Sequence, residues 1–224
     1  MSLLRLQNLR FRRGSFQGTV PFLEIPAGTI TGVFGASGSG KSSLLEAIGG
    51  FLPLEAGEIW AADRRIDGLP PEKRQTATVF QRSALFPHLN IEQNIAFGLA
   101  LRGEPAAARL EQARLWLRKV GLEGLGERAA SQISEGQAQR VALARALVVG
   151  FPVLLLDEPF SALDTHTRHG LRELVKNLVE EHQVAALLVS HDPEDVYAMA
   201  TQVIEQDKGL VRWAGPVGEW KPLV

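Results

Sequence analysis

The sequence predicts an α/β fold with a mostly parallel sheet, an antiparallel β portion at the N-terminal end and an all-helical insert. Three observations carry that expectation. A short apolar stretch, Thr29–Phe34, runs into a glycine-rich loop and then into a helical pattern. Two later aliphatic runs, Val153–Leu156 and Ala185–Val189, each end in polar or charged residues, as strands buried on both faces of a parallel sheet do. Between about residues 85 and 135 only helical patterns occur.

The loop is the most informative stretch. Gly35, Ala36, Ser37, Gly38, Ser39, Gly40, Lys41 and Ser42 have the spacing G-x-x-x-x-G-K-[ST] of a phosphate-binding loop, with Ser43 following. Its glycines let the backbone turn sharply and approach a ligand, and the exposed N–H groups form an anion nest. Lys41 can reach the β- and γ-phosphates of a nucleotide, and the Ser42 hydroxyl can ligate Mg²⁺. Ser42–Ile48 reads as the following helix, stopped by Gly49 and Gly50, so that phosphate would sit at a helix N-terminus.

Upstream, Leu3–Phe11 alternates enough for a half-exposed strand, Arg12-Arg13-Gly14 reads as a turn, and Val20–Ile25 as a second strand. Pro21 points to an edge or a strand start. Gly57–Ala61 and Thr76–Phe80 are further strands, the latter followed by Gln81. Ile91–Leu101 is a helix beginning after Asn90, with Glu92 in its first turn. Glu104-Pro105 opens an amphipathic helix with Leu110, Ala113, Leu117 and Val120 on one face and Gly121 as its stop. Ser134 caps the next helix, and Gln137 at its third position completes a capping box, which is a full structural reason for both.

After the aliphatic run come Asp157 and Glu158, where open α/β sheets bind ligands. Asp157 is placed to hold Mg²⁺, directly or through water, and Glu158 to orient and deprotonate an attacking water. Thr165–Glu181 is a helix. His191, just past Ala185–Ser190, is a candidate γ-phosphate contact. Pro193–Ala200 is a short helix, and Thr201–Glu205 and Leu210–Trp213 are closing strands.

Composition bounds the partners. The 224 residues are 45 % hydrophobic and 22 % charged, enough to bury a core. The net charge of -1 gives no basic field for nucleic acid. Cysteine is absent, which excludes disulfides and thiolate metal sites. No apolar run reaches the length of a membrane span, and the first residues lack a signal-peptide core. A role at a membrane would need another chain to cross it.

Taken in order, these motifs resemble the nucleotide-binding subunit of ATP-binding cassette (ABC) transporters over nearly the whole chain. Walker A corresponds to Gly35–Ser42, the Q-loop to Val79-Phe80-Gln81, and the signature to Ile133–Gln137. Walker B corresponds to Val153–Asp157 with catalytic Glu158, the D-loop to Ser161–Asp164, and the switch histidine to His191. The resemblance implies a P-loop NTPase core over 1–84 and 136–224, including a β subdomain, and a helical subdomain over 85–135 ending at the signature. It implies ATP and Mg²⁺ as cofactors, with Gln81 sensing the metal. It implies a second copy packed head to tail, whose Ser134, Gly136, Gln137 and Asp164 complete the ATP site. Transmembrane permease subunits and a solute-binding protein are the further partners, at the cytoplasmic face of the inner membrane.

Two departures from the family pattern matter. Glu135 replaces a signature glycine; its carboxylate either repels the opposing γ-phosphate or points to solvent. Arg13 stands where an adenine-stacking aromatic residue is usual, leaving Phe11 or Phe16 as the replacement. The wording around Ile30–Gly38 is closest to molybdate-type importers, with thiamine and iron importers similar. An exporter or lipoprotein-release ATPase is the alternative. Many importers of this group carry a long C-terminal regulatory domain; the sequence stops at Val224, as either a short protein or a shortened one would. The single phosphate loop argues against a two-cassette translation factor. The roughly fifty residues between Gln81 and Ser134 argue against a repair ATPase with a long coiled coil. The signature helix argues against a small-molecule kinase.

Overall fold

A computed structural model describes residues 2–223. The chain divides into two compact units, residues 1–78, 151–158 and 176–224 forming one and residues 79–150 and 159–175 the other. Each is described by itself.

The first unit is built on a sheet whose strands are β1 (Ser2–Arg13), β2 (Phe16–Pro26), β3 (Ile30–Phe34), β4 (Leu54–Ala61), β5 (Arg64–Arg65), β6 (Thr76–Val79), β7 (Val153–Asp157), β8 (Ala185–Ser190), β9 (Gln202–Asp207) and β10 (Leu210–Pro216). Their order is β5-β4-β1-β2-β10-β9-β3-β8-β7-β6. β9, β3, β8 and β7 pair in parallel, whereas β2, β1, β4 and β5 pair antiparallel. Every residue of β3 and β8 is buried, as expected of strands covered on both faces. Successive β3 side chains face opposite ways. Val33 joins a core with Leu44, Ile48, Leu155, Leu187 and Val189, while Phe34 packs with Val196 and Trp220 on the other face, its ring 4.9 Å from the indole. Burying aliphatic side chains of this size contributes about 1.5–3 kcal/mol each. α1 (Lys41–Gly49) supplies Leu44 and Ile48 to the larger core. α6 (Pro193–Met199) supplies Val196 to the smaller one.

Local departures from the sequence expectation have local causes. Arg12 and Arg13 belong to β1, not to a turn: Arg13 pairs with Phe16, leaving Gly14 and Ser15 as a two-residue hairpin loop with Gly14 at φ 58°. Both guanidiniums are held by carboxylates, Arg12 by Glu55 and Arg13 by Glu46. Pro21 lies inside β2 rather than at its start. The pairs Gln7–Phe22 and Leu9–Val20 put it opposite Asn8, which sits at φ 50° where β1 shifts register against β4 on its other side. β9 continues to Asp207, two residues past the expected end at Glu205.

The second unit is mainly helical, with α2 (Ile91–Leu101), α3 (Ala106–Lys119), α4 (Glu135–Leu147) and most of α5 (Thr165–Glu181). α2 opens with a capping box between Asn90 and Gln93. Ala113, Leu117 and Val120 are buried on the face the periodicity marks, joined by Trp116, while Leu110 is half-buried. Arg114 of α3 reaches Glu92 of α2 at 2.5 Å.

Candidate active site

β3 delivers the chain into the phosphate loop through Gly35, whose missing side chain is required. A Cβ there would collide with the carbonyl oxygen of Gln206 and crowd the Ser39 hydroxyl. Gly40 caps α1 in the left-handed region, φ 101°, with no side-chain capping bond, so the first-turn N–H groups stay available to an anion. The buried Lys41 ammonium lies across the loop, donating to the carbonyls of Gly35 at 2.7 Å and Ala36 at 2.9 Å. Burial lowers the Lys41 pKa, against the opposing pull of Glu158 and Asp157. A cleft of about 350 Å³ opens over the loop, lined by Arg13, Phe16, Ser37, Gly38, Gly40, Lys41, Ser42, Ser43 and Glu158.

Asp157 ends β7 and accepts a hydrogen bond from the Ser42 hydroxyl at 3.0 Å. Its burial raises its pKa; the Ser42 bond opposes the rise and the neighbouring Glu158 carboxylate adds to it. These two hard oxygens, one from a partly buried carboxylate, suit Mg²⁺, which takes one or two protein oxygens and completes its shell with phosphate and water. Among the described residues no group of three or more acidic, His or Cys side chains could form an all-protein metal cage.

The next residue, Glu158, sits at φ 47°, a left-handed conformation that costs a non-glycine residue about 1–3 kcal/mol. Its N–H donates to the Val189 carbonyl of β8 at 3.0 Å, and its Oε2 lies 3.1 Å from His191 Nδ1. The first unit therefore brings together Gly35–Ser43, Asp157, Glu158 and His191, from the ends of three adjacent parallel strands. A buried cation, a hydroxyl–carboxylate pair and a carboxylate–imidazole pair at one cleft can bind polyphosphate and activate a water.

Gln81, Ser134, Gly136, Gln137 and Asp164 lie in the second unit. The Ser134 hydroxyl accepts from Gln137 N–H at 3.3 Å, and Gln137 Oε1 accepts from Ser134 N–H at 3.0 Å, the capping box expected. Glu135 is exposed. Gly136 is buried against Thr167, into whose methyl a Cβ would press. Asp164 Oδ1 accepts from Thr167 N–H at 3.0 Å, and bonding to Thr167 holds its carboxyl below the usual range.

Some residues had no signal in the sequence pattern. Gln139, buried on α4, donates to the Gln81 carbonyl at 2.7 Å and so braces the backbone of that loop. Burial distinguishes Phe11 from Phe16. Phe11 is 0 % exposed in the core, whereas Phe16 lines the cleft against Gly40. Only the register of the hairpin separates the two.

Residues 21–161 match the family model described as ABC transporter. The chain is 40 % identical to the sulfate/thiosulfate import ATP-binding protein CysA of Nocardia farcinica, over 95 % of its own length and 65 % of the relative's. It is 44 % identical to the taurine import ATP-binding protein TauB of Shigella dysenteriae, over 85 % of its length and 73 % of the relative's. A solved structure, a dimeric post-hydrolysis state of the ATP-binding cassette MJ0796 bound to ADP and Pi, superposes with a TM-score of 0.82 at 28 % identity, covering 97 % of this chain and all of that one. The fold is thus that of a P-loop ABC ATPase. The chain belongs to the ABC transporter family. It spans just under two thirds of the length of the CysA relatives it matches, between 56 % and 65 %.

Proposed function

We propose that the chain is the ATP-hydrolysing subunit of a bacterial importer. The observation that carries this reading is the cleft over the phosphate loop, with Lys41, the Ser42–Asp157 pair and the Glu158–His191 pair at one set of strand ends. In the proposed cycle Lys41 turns from the loop carbonyls to the β- and γ-phosphates of ATP. Ser42 and Asp157 hold Mg²⁺, which when bound neutralises phosphate charge. Glu158 orients the attacking water and accepts its proton, and His191 fixes the Glu158 carboxylate beside the γ-phosphate. Phe16 stacks on the adenine.

Gln81, at the edge of a helical subdomain over 85–135, relays nucleotide state to permease subunits at the cytoplasmic face of the inner membrane. Ser134, Gly136, Gln137 and Asp164 act on the ATP of a second, head-to-tail copy. Among the described residues no helix is long and apolar enough to cross a membrane. A solute-binding protein delivers the cargo, which we assign to the oxyanion class, such as molybdate or sulfate. Relatives named for sulfate/thiosulfate and for the sulfonate taurine support that class, and one named for spermidine/putrescine marks the cationic alternative.

The test joins the chain to a candidate permease, in vesicles, and measures ATP-driven uptake of labelled molybdate, sulfate and spermidine. Oxyanion uptake that vanishes with Lys41→Ala is the expected result. Hydrolysis without oxyanion uptake would overturn the cargo; a Lys41→Ala variant as active as wild type would overturn the site.

A further inference from the structure

Beside the phosphate loop three buried polar atoms have no hydrogen-bond partner: Ser39 Oγ and both amide atoms of Gln206. Gln206 is 1 % exposed, on β9, and Ser39 is 4 % exposed. They converge on the loop. The Ser39 hydroxyl crowds the position a Cβ on Gly35 would take, and Gln206 Nε2 lies 3.4 Å from the position of one on Gly40. The β9–β10 hairpin is fastened to the same loop, since Gly209 N–H donates to the Ser39 carbonyl at 2.9 Å.

An amide left without partners penalises the state that holds it so. In this structure the Gly35 carbonyl takes its donor from Lys41. When Lys41 turns toward phosphate, that carbonyl needs another donor, and Ser39 Oγ–H and Gln206 Nε2–H are unused donors at the same loop.

We propose that Gln206 is a positioning residue for the phosphate loop. Its amide, with the Ser39 hydroxyl, takes over the loop's polar groups when nucleotide draws Lys41 away, and so favours the loaded loop over the empty one. The inference rests on the ATP site proposed above and assigns Gln206 no contact with nucleotide.

The experiment uses the purified chain with Mg-ATP, wild type beside Gln206→Leu, Ser39→Ala and the double variant. Nucleotide affinity, Tm with and without nucleotide, KM and kcat are measured. Gln206→Leu should raise the Tm of the empty protein, shrink the rise in Tm on adding Mg-ATP, and weaken affinity about tenfold. KM should rise with it, while kcat changes less than twofold. Ser39→Ala should add little once Gln206 is Leu, because the two act on one set of loop groups. Gln206→Glu, which keeps the shape, should weaken affinity further by placing a carboxylate beside the phosphate loop.

A simple packing role predicts the reverse, a lower Tm for the empty Gln206→Leu protein with the nucleotide-induced rise unchanged, and that result overturns the inference. So does unchanged affinity in Gln206→Leu and Gln206→Glu. If the wild-type chain binds no ATP, the site reading fails first and the inference with it. If wild type binds, Lys41→Ala does not and Gln206→Leu matches wild type, only the inference fails.

Discussion

The Ser42 hydroxyl donates to Asp157 at 3.0 Å although 115 positions separate the two in sequence. The bond joins the first turn of α1 to the end of β7, and it pairs the two oxygens to which we assign the metal. Burial holds the Asp157 carboxyl above its ordinary value of 3.8, so the folded chain binds more protons than the unfolded one as pH rises from that value. Stability of the ligand-free protein should therefore fall across that window. Asp157→Asn should flatten the fall and raise Tm at neutral pH, while weakening the Mg²⁺ dependence of ATP turnover by ~10–100-fold, the scale of a lost group supporting a metal shell. Thermal melts from pH 4 to 8 and Mg²⁺ titrations of phosphate release measure both; an unaltered Mg²⁺ dependence would remove Asp157 from the metal site.

Glu158→Gln keeps size and hydrogen bonding but loses basicity. Turnover should drop ~10²–10⁴-fold, the usual worth of general-base assistance, while ATP binding survives. The variant should accumulate as a Mg-ATP-bound dimer on size-exclusion chromatography, in the presence of the permease where the subunit alone dimerises weakly. Fast hydrolysis by Glu158→Gln would move the search for the base to His191.

Glu135 is exposed, and we expect its side chain to leave the helix N–H groups free to meet phosphate. Glu135→Gly should change the ATP affinity of the assembled complex by less than about 1 kcal/mol, the scale of an exposed charge near a helix end. A tenfold tightening would show that the carboxylate faces the phosphate.

The two phenylalanines should separate cleanly. Phe16→Ala should weaken nucleotide binding by ~1–3 kcal/mol, the worth of one base stacked on an aromatic ring, with little change in the Tm of the empty protein. Phe11→Ala empties a fully buried core position and should cost about 3–5 kcal/mol of stability instead. Equal affinity in Phe16→Ala and wild type would leave the base without a stacking partner at this hairpin.

The sheet was legible because its central strands are short and aliphatic and end in polar residues, so period, length and punctuation agree at Val153–Asp157 and Ala185–Ser190. α2 was legible from its start after Asn90, α3 from its stop at Gly121 and α4 from its cap at Ser134. What the sequence hid depends on pairing across distance. The fate of Arg13 follows from its pairing with Phe16, and the place of Pro21 opposite Asn8 and the burial of Phe11 follow from hairpin register. Polar residues inside apolar elements were least legible. Gln139 and Gln206 break no period, and their partners or lack of partners exist only in three dimensions.

The left-handed backbone at Glu158 sets two kinds of selection against each other. A laboratory screen that rewards only heat resistance would find glycine or asparagine at that position attractive, since either relaxes the backbone and glycine removes a side chain that must crowd a carboxylate neighbour. The survivors would be sturdier and unable to turn over ATP at a useful rate. A library scored for stability and hydrolysis together should instead leave position 158 untouched and collect its gains elsewhere, so the substitution pattern at this one residue would report which property was selected.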